Sequence, residues 1–425
     1  MKGIVLLFVT IFLAQSAISQ KYDTIITPFL AQSAIAQSSD TTKNDRLGLK
    51  AEMVHFFKDN EFTAEKISGY TLPGFYFRPR LVWKVEDRVR LEAGVHWLHY
   101  WGATRYPRNI SFTAFPEMGE ESAPSHVLPW MQARVRLLPL WGNVDNSQIW
   151  LVLGSLENKN GHNLPQPLYD NELLYAADPE AGAQILMNFN HFDADIWVDW
   201  KDFIFRGSET QERFIFGFSG EIAPMNPPKS EGFSIFMPLH VVAQHIGGEM
   251  LAEEKLPISF FNFSGGLQFG LYSSDYVAGM EIGCQFIGFA HNGNATIPDR
   301  GWGVYPHICY WNSGFLMDVA YWQGENFLPL LGSPHFSNYS VNTTGLVFDR
   351  MDMLCVKAEY DLKKIYSYTT LSLEAMSYIY FPYTGDRPGY PKVERGAAAS
   401  FSFGINLKFD PYIRLGHPFK RGQRK

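Results

Sequence analysis

The stretch RVRLEAGVHWLHYW, residues 88–101, alternates between apolar and polar side chains with a period of two residues. Its odd-numbered positions are apolar or aromatic apart from His99, whereas its even-numbered positions include Arg88, Arg90 and Glu92. Alternation of this kind is typical of a β-strand whose two faces meet different surroundings. The stretch therefore predicts a strand with one apolar face and one charged face.

Four further stretches alternate in the same way, at 192–201, 233–243, 276–290 and 397–409. In all five strands the apolar face carries no Asp, Glu, Lys or Arg. Hydrocarbon would enforce this pattern, because an Arg or Lys near the middle of the bilayer costs about 2–4 kcal/mol on the lipid side of a barrel. Soluble sandwiches and propellers also contain alternating strands, so alternation alone leaves those folds open.

The connections between the candidate strands separate these alternatives. Long connections alternate with short ones for most of the chain, and outer-membrane barrels likewise have long extracellular loops and short periplasmic turns. A propeller would instead show a repeat of about 40–50 residues, and the sequence has none. The sequence therefore predicts an all-β fold, a closed antiparallel transmembrane β-barrel of about 16 strands with a range of about 14–18. The long connections are 59–73, 102–129, 156–180, 245–257, 291–301, 324–350 and 382–395.

The first residues resemble a secretory signal peptide. Lys2 precedes an apolar run at 3–13, and small residues follow it up to Ser19. The run is too short to span a bilayer, which takes about 20 apolar residues. A near copy of "FLAQSAISQ" stands at 29–37 and offers a second cleavage site after Ala36. We expect export to the outer membrane of a Gram-negative cell. The predicted parts are a signal peptide at 1–19 (alternatively cleaved after 36), an N-terminal periplasmic segment at 20–46, the barrel at 47–409 and a C-terminal tail at 410–425.

Composition narrows the range of partners. The net charge of -7 argues against a nucleic-acid partner. The three cysteines are too few, and too irregularly spaced, for a disulfide scaffold or a zinc site. Aromatic residues make up 16% of the chain, which fits the aromatic girdles of membrane barrels. We therefore expect no metal and no cofactor.

Three segments carry a resemblance to a known family. They are "GYTLPGF" at 69–75, "NKNGHNLPQPLYDNE" at 158–172 and "DADIWVDW" at 193–200. They resemble a largely uncharacterised family of porin-like outer-membrane β-barrel proteins of the Bacteroidetes, and the similarity runs through most of the mature chain. The resemblance implies the barrel and its location and says little about a substrate.

If the apolar faces meet lipid, the polar faces line the lumen. The sequence then predicts a pore with a basic and an acidic wall, and a loop between the fifth and sixth strands that is long enough to fold in as a constriction. We expect a non-enzymatic porin for passive diffusion of small polar solutes, with membrane lipid as a second partner and a homo-oligomer left open. The predicted pore-lining residues are Arg88, Arg90, Glu92, Arg134, Arg136, Asp193, Asp195, Asp199 and Lys201, and the constriction residues are Glu157, Lys159, His162, Asp170 and Glu172.

Two other classes of function stay open. An outer-membrane enzyme acting on lipid could bring a serine, a histidine and a carboxylate together without any linear motif. A Ser or Cys within hydrogen-bond reach of a His on the barrel exterior would favour that class. A surface receptor or adhesin would use the long connections at 102–129 and 324–350 and would have a plugged lumen.

Overall fold

The computed structural model confirms the closed antiparallel barrel of 16 spanning strands. It describes residues 46–62, 66–102, 125–138, 147–158, 160–205, 211–225, 231–248, 256–273, 277–293, 297–366 and 368–416. The predicted signal peptide and most of the predicted N-terminal segment lie outside these residues. No helix within the described ranges is long and apolar enough to cross a membrane.

Each spanning strand pairs with its neighbours along the chain. The strands are β1 Leu47–Glu61, β2 Tyr70–Glu86, β3 Val89–Tyr100, β4 Ser125–Leu138, β5 Gln148–Ser155, β6 Ala181–Phe189, β7 Phe192–Asp202, β8 Glu212–Ile222, β9 Gly232–Gly247, β10 Ile258–Tyr272, β11 Ala278–Asn292, β12 Arg300–Asn312, β13 Phe315–Glu325, β15 Met351–Tyr366, β16 Thr369–Tyr380 and β19 Ala398–Phe409. A small separate sheet contains β14 Val347–Phe348, β17 Tyr383–Asp386 and β18 Val393–Arg395. The helical elements are α1 Leu173–Ala176 and 3₁₀ turns at Gly161–Asn163 and Pro334–Phe336.

The barrel closes where β1 pairs with β19. Met53 lies opposite Phe409 and Glu61 opposite Phe401. Beyond Phe409 the chain continues as β20, Tyr412–Gly416, which pairs with the first residues of β1. Residues 410 and 411 interrupt this last strand, and a proline at position 411 has no N–H to donate to the ladder. The structure therefore extends the barrel into residues that the sequence analysis assigned to a tail.

The outer surface of the barrel is apolar around its waist. Side chains such as Met131, Leu267 and Phe286 are 64%, 43% and 51% exposed on this face. Among the described side chains, the outward-facing charges lie near the strand ends that join the long loops, which is the extracellular rim. Contact with membrane hydrocarbon explains this exposed apolar belt, because a surface in contact with water would carry polar side chains in the same positions. The outward-facing charged residues of the described strands at the extracellular rim are Asp59, Glu61, Glu212, Arg300, Glu325 and Asp352, and Arg350, just before β15, pairs with Asp352.

The extracellular half of the lumen is filled by two inserted loops. One follows β5 and the other follows β13, and they meet where Asp170 donates a backbone hydrogen bond to Leu331 at 2.8 Å. Their apolar side chains join a core that includes the fully buried Trp197 and Trp322 of the barrel wall. The side-chain amide of Asn262 on β10 donates a hydrogen bond to the carbonyl of Leu328 at 2.9 Å, so this buried carbonyl of the inserted loop has a partner. The described parts of the two loops therefore form a packed protein core in the upper lumen.

We expect Leu267→Arg to lower the free energy of unfolding in lipid vesicles by about 2–4 kcal/mol, because Leu267 faces hydrocarbon at mid-strand. Urea unfolding followed by tryptophan fluorescence measures the change. The control, Leu267→Met, keeps the apolar volume and should cost less than about 1.5 kcal/mol. An effect of Leu267→Arg within about 0.5 kcal/mol, as on a water-facing surface, would contradict the lipid-facing assignment.

Candidate active site on the lipid-facing surface

Two arginines of the predicted basic wall pair with a carboxylate of the inserted loop. Glu157 accepts hydrogen bonds from Arg134 at 2.7 Å and from Arg90 at 3.2 Å. Glu92 lies 3.1 Å from Arg90 and also pairs with a neighbouring arginine of β2. The guanidinium of Arg136 lies over the ring of Trp150 at 5.6 Å. Arg88, the last of the predicted basic residues, sits in the turn between β2 and β3.

The predicted acidic wall is paired in the same way. Asp193 accepts a hydrogen bond from Asn188 at 2.8 Å, and Asp199 forms an ion pair with Lys201. Asp195 binds His162 of the loop at 2.7 Å. The two walls therefore do not face each other as bare charges across water. Lys159, a further predicted constriction residue, lies outside the described residues.

His162 anchors the loop inside the barrel. Its Nδ1 lies 2.7 Å from Asp195 and its Nε2 lies 2.6 Å from Glu180, and its ring stacks on Trp197 at 3.7 Å. Burial lowers the pKa of His162, but the two carboxylates outweigh burial and raise the pKa to about 10. The charged imidazolium lies between two carboxylates, one on the loop and one on β7. These two ion pairs hold the loop in place.

The other two constriction residues also lie in the lumen, with Glu172 buried and Asp170 half-buried. Glu172 lies 3.1 Å from the ammonium group of Lys58 on β1 and accepts a hydrogen bond from Tyr70 at 2.5 Å. Asp170 is enclosed beside it, and burial raises the pKa of Asp170 to about 6. The structure brings these residues together as a packed network rather than as the rim of an open constriction.

Two Ser–His pairs lie on the outer surface of the barrel. Ser259 Oγ is 2.8 Å from His245 Nδ1, and Ser125 Oγ is 2.6 Å from His99 Nδ1. In each pair the two residues are directly opposite in register on adjacent strands, near the extracellular rim. A third contact, His240 to Ser264, faces the lumen, where both residues are buried. The two outer pairs are therefore the ones that a membrane lipid can reach.

The surroundings of His245 hold its ring in place. Phe214 of β8 packs against it with 5.2 Å between ring centroids, and Trp200 stacks on Phe214 at 5.3 Å. Gly247 lies under the outer edge of the ring, where a Cβ atom would come within 2.6 Å of Nε2. A side chain at position 247 would therefore push the imidazole away from Ser259.

An apolar groove crosses β10, β11 and β12, and its lining residue on β10, Phe263, is four residues along the strand from Ser259. It encloses about 830 Å³ and is open to the membrane side. A groove of this size is within the usual range for small-molecule sites, about 300–1,000 Å³. Phe261, two residues along β10 from Ser259, lies opposite Ala290 in the groove, and Ala290 lies opposite Arg300. The groove is lined by Phe263, Phe286, Phe289, Ala290, Arg300, Gly301 and Trp302.

The Ser125 pair lies on a different part of the wall, against an aromatic patch. The ring of His99 is 5.5 Å from Phe75, which in turn contacts Trp97 and Trp101. His55 belongs to the same patch, 5.3 Å from Phe75.

Within the described ranges, no group of three or more His, Cys, Asp and Glu side chains could hold a metal ion.

The fold defines an outer-membrane β-barrel, and its lipid-facing side carries two Ser–His contacts. The chain belongs to the lipid A 3'-O-deacylase-type family, whose model matches residues 39–418. No curated protein matches the sequence.

Solved structures that resemble the chain are outer-membrane proteins. OccAB4 of Acinetobacter baumannii shares 10% identity and a TM-score of 0.46, over 88% of this chain and 100% of that one. OmpT of Vibrio cholerae shares 8% identity and a TM-score of 0.42, over 86% and 99%. OpdK of Pseudomonas aeruginosa shares 12% identity and a TM-score of 0.43, over 86% and 98%. At such values the likeness carries no information about activity.

The family match corrects two expectations from the sequence. The prediction of a non-enzymatic protein is wrong, because the family is one of enzymes. The prediction of a porin is wrong for the same reason, and the alternative of an enzyme acting on lipid fits the family better. The loops that fill the upper lumen occupy the space that a porin would leave open for solutes. A membrane lipid is supported as a partner, whereas small polar solutes and a homo-oligomer gain no support.

We expect His162→Gln to destabilise the barrel at pH 7 by about 3–5 kcal/mol, because it leaves two buried carboxylates uncompensated. The raised pKa also fixes the sign of the pH dependence. The stabilisation by His162 is complete below its unfolded pKa of about 6.5 and is lost as the pH rises through about 10.

Thermal unfolding in detergent between pH 6 and 10.5 measures this effect (the range brackets both pKa values). The difference in midpoint between wild type and His162→Gln should shrink as the pH rises. His191→Gln, in the turn between β6 and β7, is the matched control and should follow the wild type. A difference that stays constant over the whole range would show that the imidazolium does not anchor the loop.

Proposed function

We propose that this chain is an outer-membrane hydrolase that removes an ester-linked acyl chain from lipid A, with Ser259 as nucleophile and His245 as its base. The observation that carries the proposal is the 2.8 Å contact of Ser259 Oγ with His245 Nδ1 on the lipid-facing surface. The family match supports the substrate, and a groove that reaches the same strand, β10, at Phe263 supports the choice of Ser259 over Ser125.

The position of the pair suits an ester of an outer-leaflet lipid. Ser259 is the second residue of β10, and His245 precedes the end of β9 by two residues, so both lie at the extracellular rim. Acyl esters of membrane lipids lie where the headgroup meets the hydrocarbon. Phe261 and Phe263 continue downward from Ser259 on the same face, and both are partly exposed to the membrane. An acyl chain that lies along them presents its ester carbonyl near the hydroxyl of Ser259.

The chemistry follows from the hydrogen bond. With the Ser259 hydroxyl donating to Nδ1, the imidazole carries its hydrogen on Nε2, so Nδ1 is free to take the proton. Ser259 Oγ attacks the ester carbonyl carbon while His245 accepts the hydroxyl proton. The tetrahedral intermediate then breaks the bond to the sugar oxygen, and the imidazolium returns the proton to that oxygen. Water, deprotonated by His245, hydrolyses the acyl-serine to a free fatty acid and regenerates the serine.

We expect Ser259→Ala to lower the deacylation rate at least about 1,000-fold, because the attacking oxygen is lost. His245→Ala should lower it by about 100-fold to 10,000-fold, the usual contribution of a general base. Mass spectrometry of lipid A incubated with the purified protein in mixed micelles measures the loss of one acyl chain. Heat-modifiable migration on gels confirms that each variant is folded.

Ser125→Ala is the matched control, because Ser125 makes the same contact with a histidine on the same surface, and it should keep the wild-type rate. Loss of activity in Ser125→Ala alone would move the nucleophile to the other pair and overturn the assignment of Ser259. Full activity in both serine variants, or no deacylation by the wild type, would refute the proposed function.

A further inference from the structure

One of the residues that line the groove is a cation. Arg300 is the first residue of β12, and it is exposed on the outer face at the extracellular rim. Most other outward-facing charges at this rim, among the residues that the structure describes, are acidic: Asp59, Glu61, Glu212, Glu325 and Asp352, the last of which pairs with Arg350 at 3.0 Å. Arg300 therefore gives this sector of a mostly acidic rim a local preference for anions, whereas Arg350 is already paired with a carboxylate.

The groups around Arg300 leave its guanidinium available. Within the described ranges no carboxylate lies within 4.0 Å of it, so it takes part in no ion pair there. Asp299 points to the other face, 3.5 Å from His291. Glu325 lies opposite Trp302 on the outer face, so it is a diagonal neighbour of Arg300 that lowers the local affinity for anions.

The spacing between Arg300 and Ser259 fits a single lipid. Ser259 lies opposite Asn292 of β11, and Ala290 of β11 lies opposite Arg300. Two strand spacings and a two-residue offset put the two backbones roughly 12 Å apart. A phosphorylated sugar headgroup spans this distance, so one molecule can place an ester at Ser259, a phosphate at Arg300 and an acyl chain in the groove that Arg300 lines.

We infer that Arg300 binds a phosphate group of the lipid while the groove holds one of its acyl chains, so that the site selects phosphorylated outer-leaflet lipids. The inference deepens the proposed function and rests on it for the reaction, but the binding itself requires no catalysis. A guanidinium presents paired N–H donors that match two phosphate oxygens, which a lysine ammonium does not. The apolar lining supplies the rest of the affinity by removing the chain from competing lipid and water.

Binding can be measured apart from hydrolysis in full-length Ser259→Ala protein. One reporter is the intrinsic tryptophan fluorescence, to which Trp302 in the groove contributes. The second is surface plasmon resonance of the protein in nanodiscs. The probes are phosphorylated lipid A, the same lipid A after enzymatic removal of its phosphates, and inorganic phosphate alone. Adding Arg300→Ala should weaken binding of phosphorylated lipid A by about 10-fold to 100-fold, as for loss of a hydrogen bond to a charged group. It should leave binding of the dephosphorylated lipid unchanged.

Three further variants sharpen the result. Arg300→Lys should give an intermediate loss, because the charge remains and the paired donors do not. Glu325→Gln should strengthen binding of phosphorylated lipid A, because the nearby negative charge is removed. Ala290→Trp fills the groove and should weaken binding of both lipids, whereas Ile308→Trp, on the same strand face outside the groove, should weaken neither.

Two results would overturn the inference. One is equal binding of phosphorylated lipid A by the Arg300→Ala protein and its parent. The other is displacement of bound lipid by inorganic phosphate alone, which would make Arg300 a site for soluble anions. Neither result depends on deacylation. Failure of this inference is therefore distinguishable from failure of the proposed function, which the rates of the Ser259 and His245 variants test.

Discussion

The hydrocarbon around the barrel is the constraint on which the rest of the structure depends. Hydrocarbon offers no partner to a backbone N–H or C=O, so every strand must be paired on both sides and the sheet must close. The closure of β1 against β19 and β20 meets this demand at the seam. The same medium excludes charge from the outer waist, so polar chemistry on that face is confined to the rims. The two outer Ser–His pairs lie at such a rim, where lipid esters also lie.

The lumen obeys a different rule. A cylinder of 16 strands is wide enough to hold water, yet here the chain fills its upper half with its own loops. The inserted backbone must find partners inside, and buried amides supply them. Asn338 donates to the carbonyls of Gly324 and Phe348, and its own carbonyl accepts from Phe327. Charged side chains in the lumen also form ion pairs, for example Glu157 with Arg134. These ion pairs and amide hydrogen bonds hold the inserted loops in one conformation.

The fold could be predicted from local patterns, because alternation and loop length are properties of short stretches. The period of two predicts that the odd-numbered residues from Val89 to Trp101 face outward. It likewise predicts that the odd-numbered residues from Asp193 to Asp199 face the lumen. The candidate site could not be predicted in the same way. Ser259 and His245 come from different strands, and they meet only because β9 and β10 pair in one particular register.

The loop at 156–180 shows the same limit. Its length and polarity indicated that it folds inward, but they could not show that Glu157 and His162 would neutralise the walls. The partners of His162 lie on β7 and at the end of the loop itself, at sequence separations of 33 and 18. Pairing of this kind depends on three-dimensional packing, so the sequence suggested bare walls of a pore where the structure has a filled core.

The contact between the two inserted loops has a mechanical consequence. One loop is rooted between β5 and β6 and the other after β13, on distant parts of the wall, and they join through Tyr169 and Leu331. Together they form a strut across the cylinder. Two distant parts of the wall are thus connected through protein inside the barrel as well as around its circumference, and this connection limits changes in the cross-section. Strand curvature at the rim, and with it the spacing of outward-facing side chains on adjacent strands, is then held from inside as well as by the ladder of hydrogen bonds.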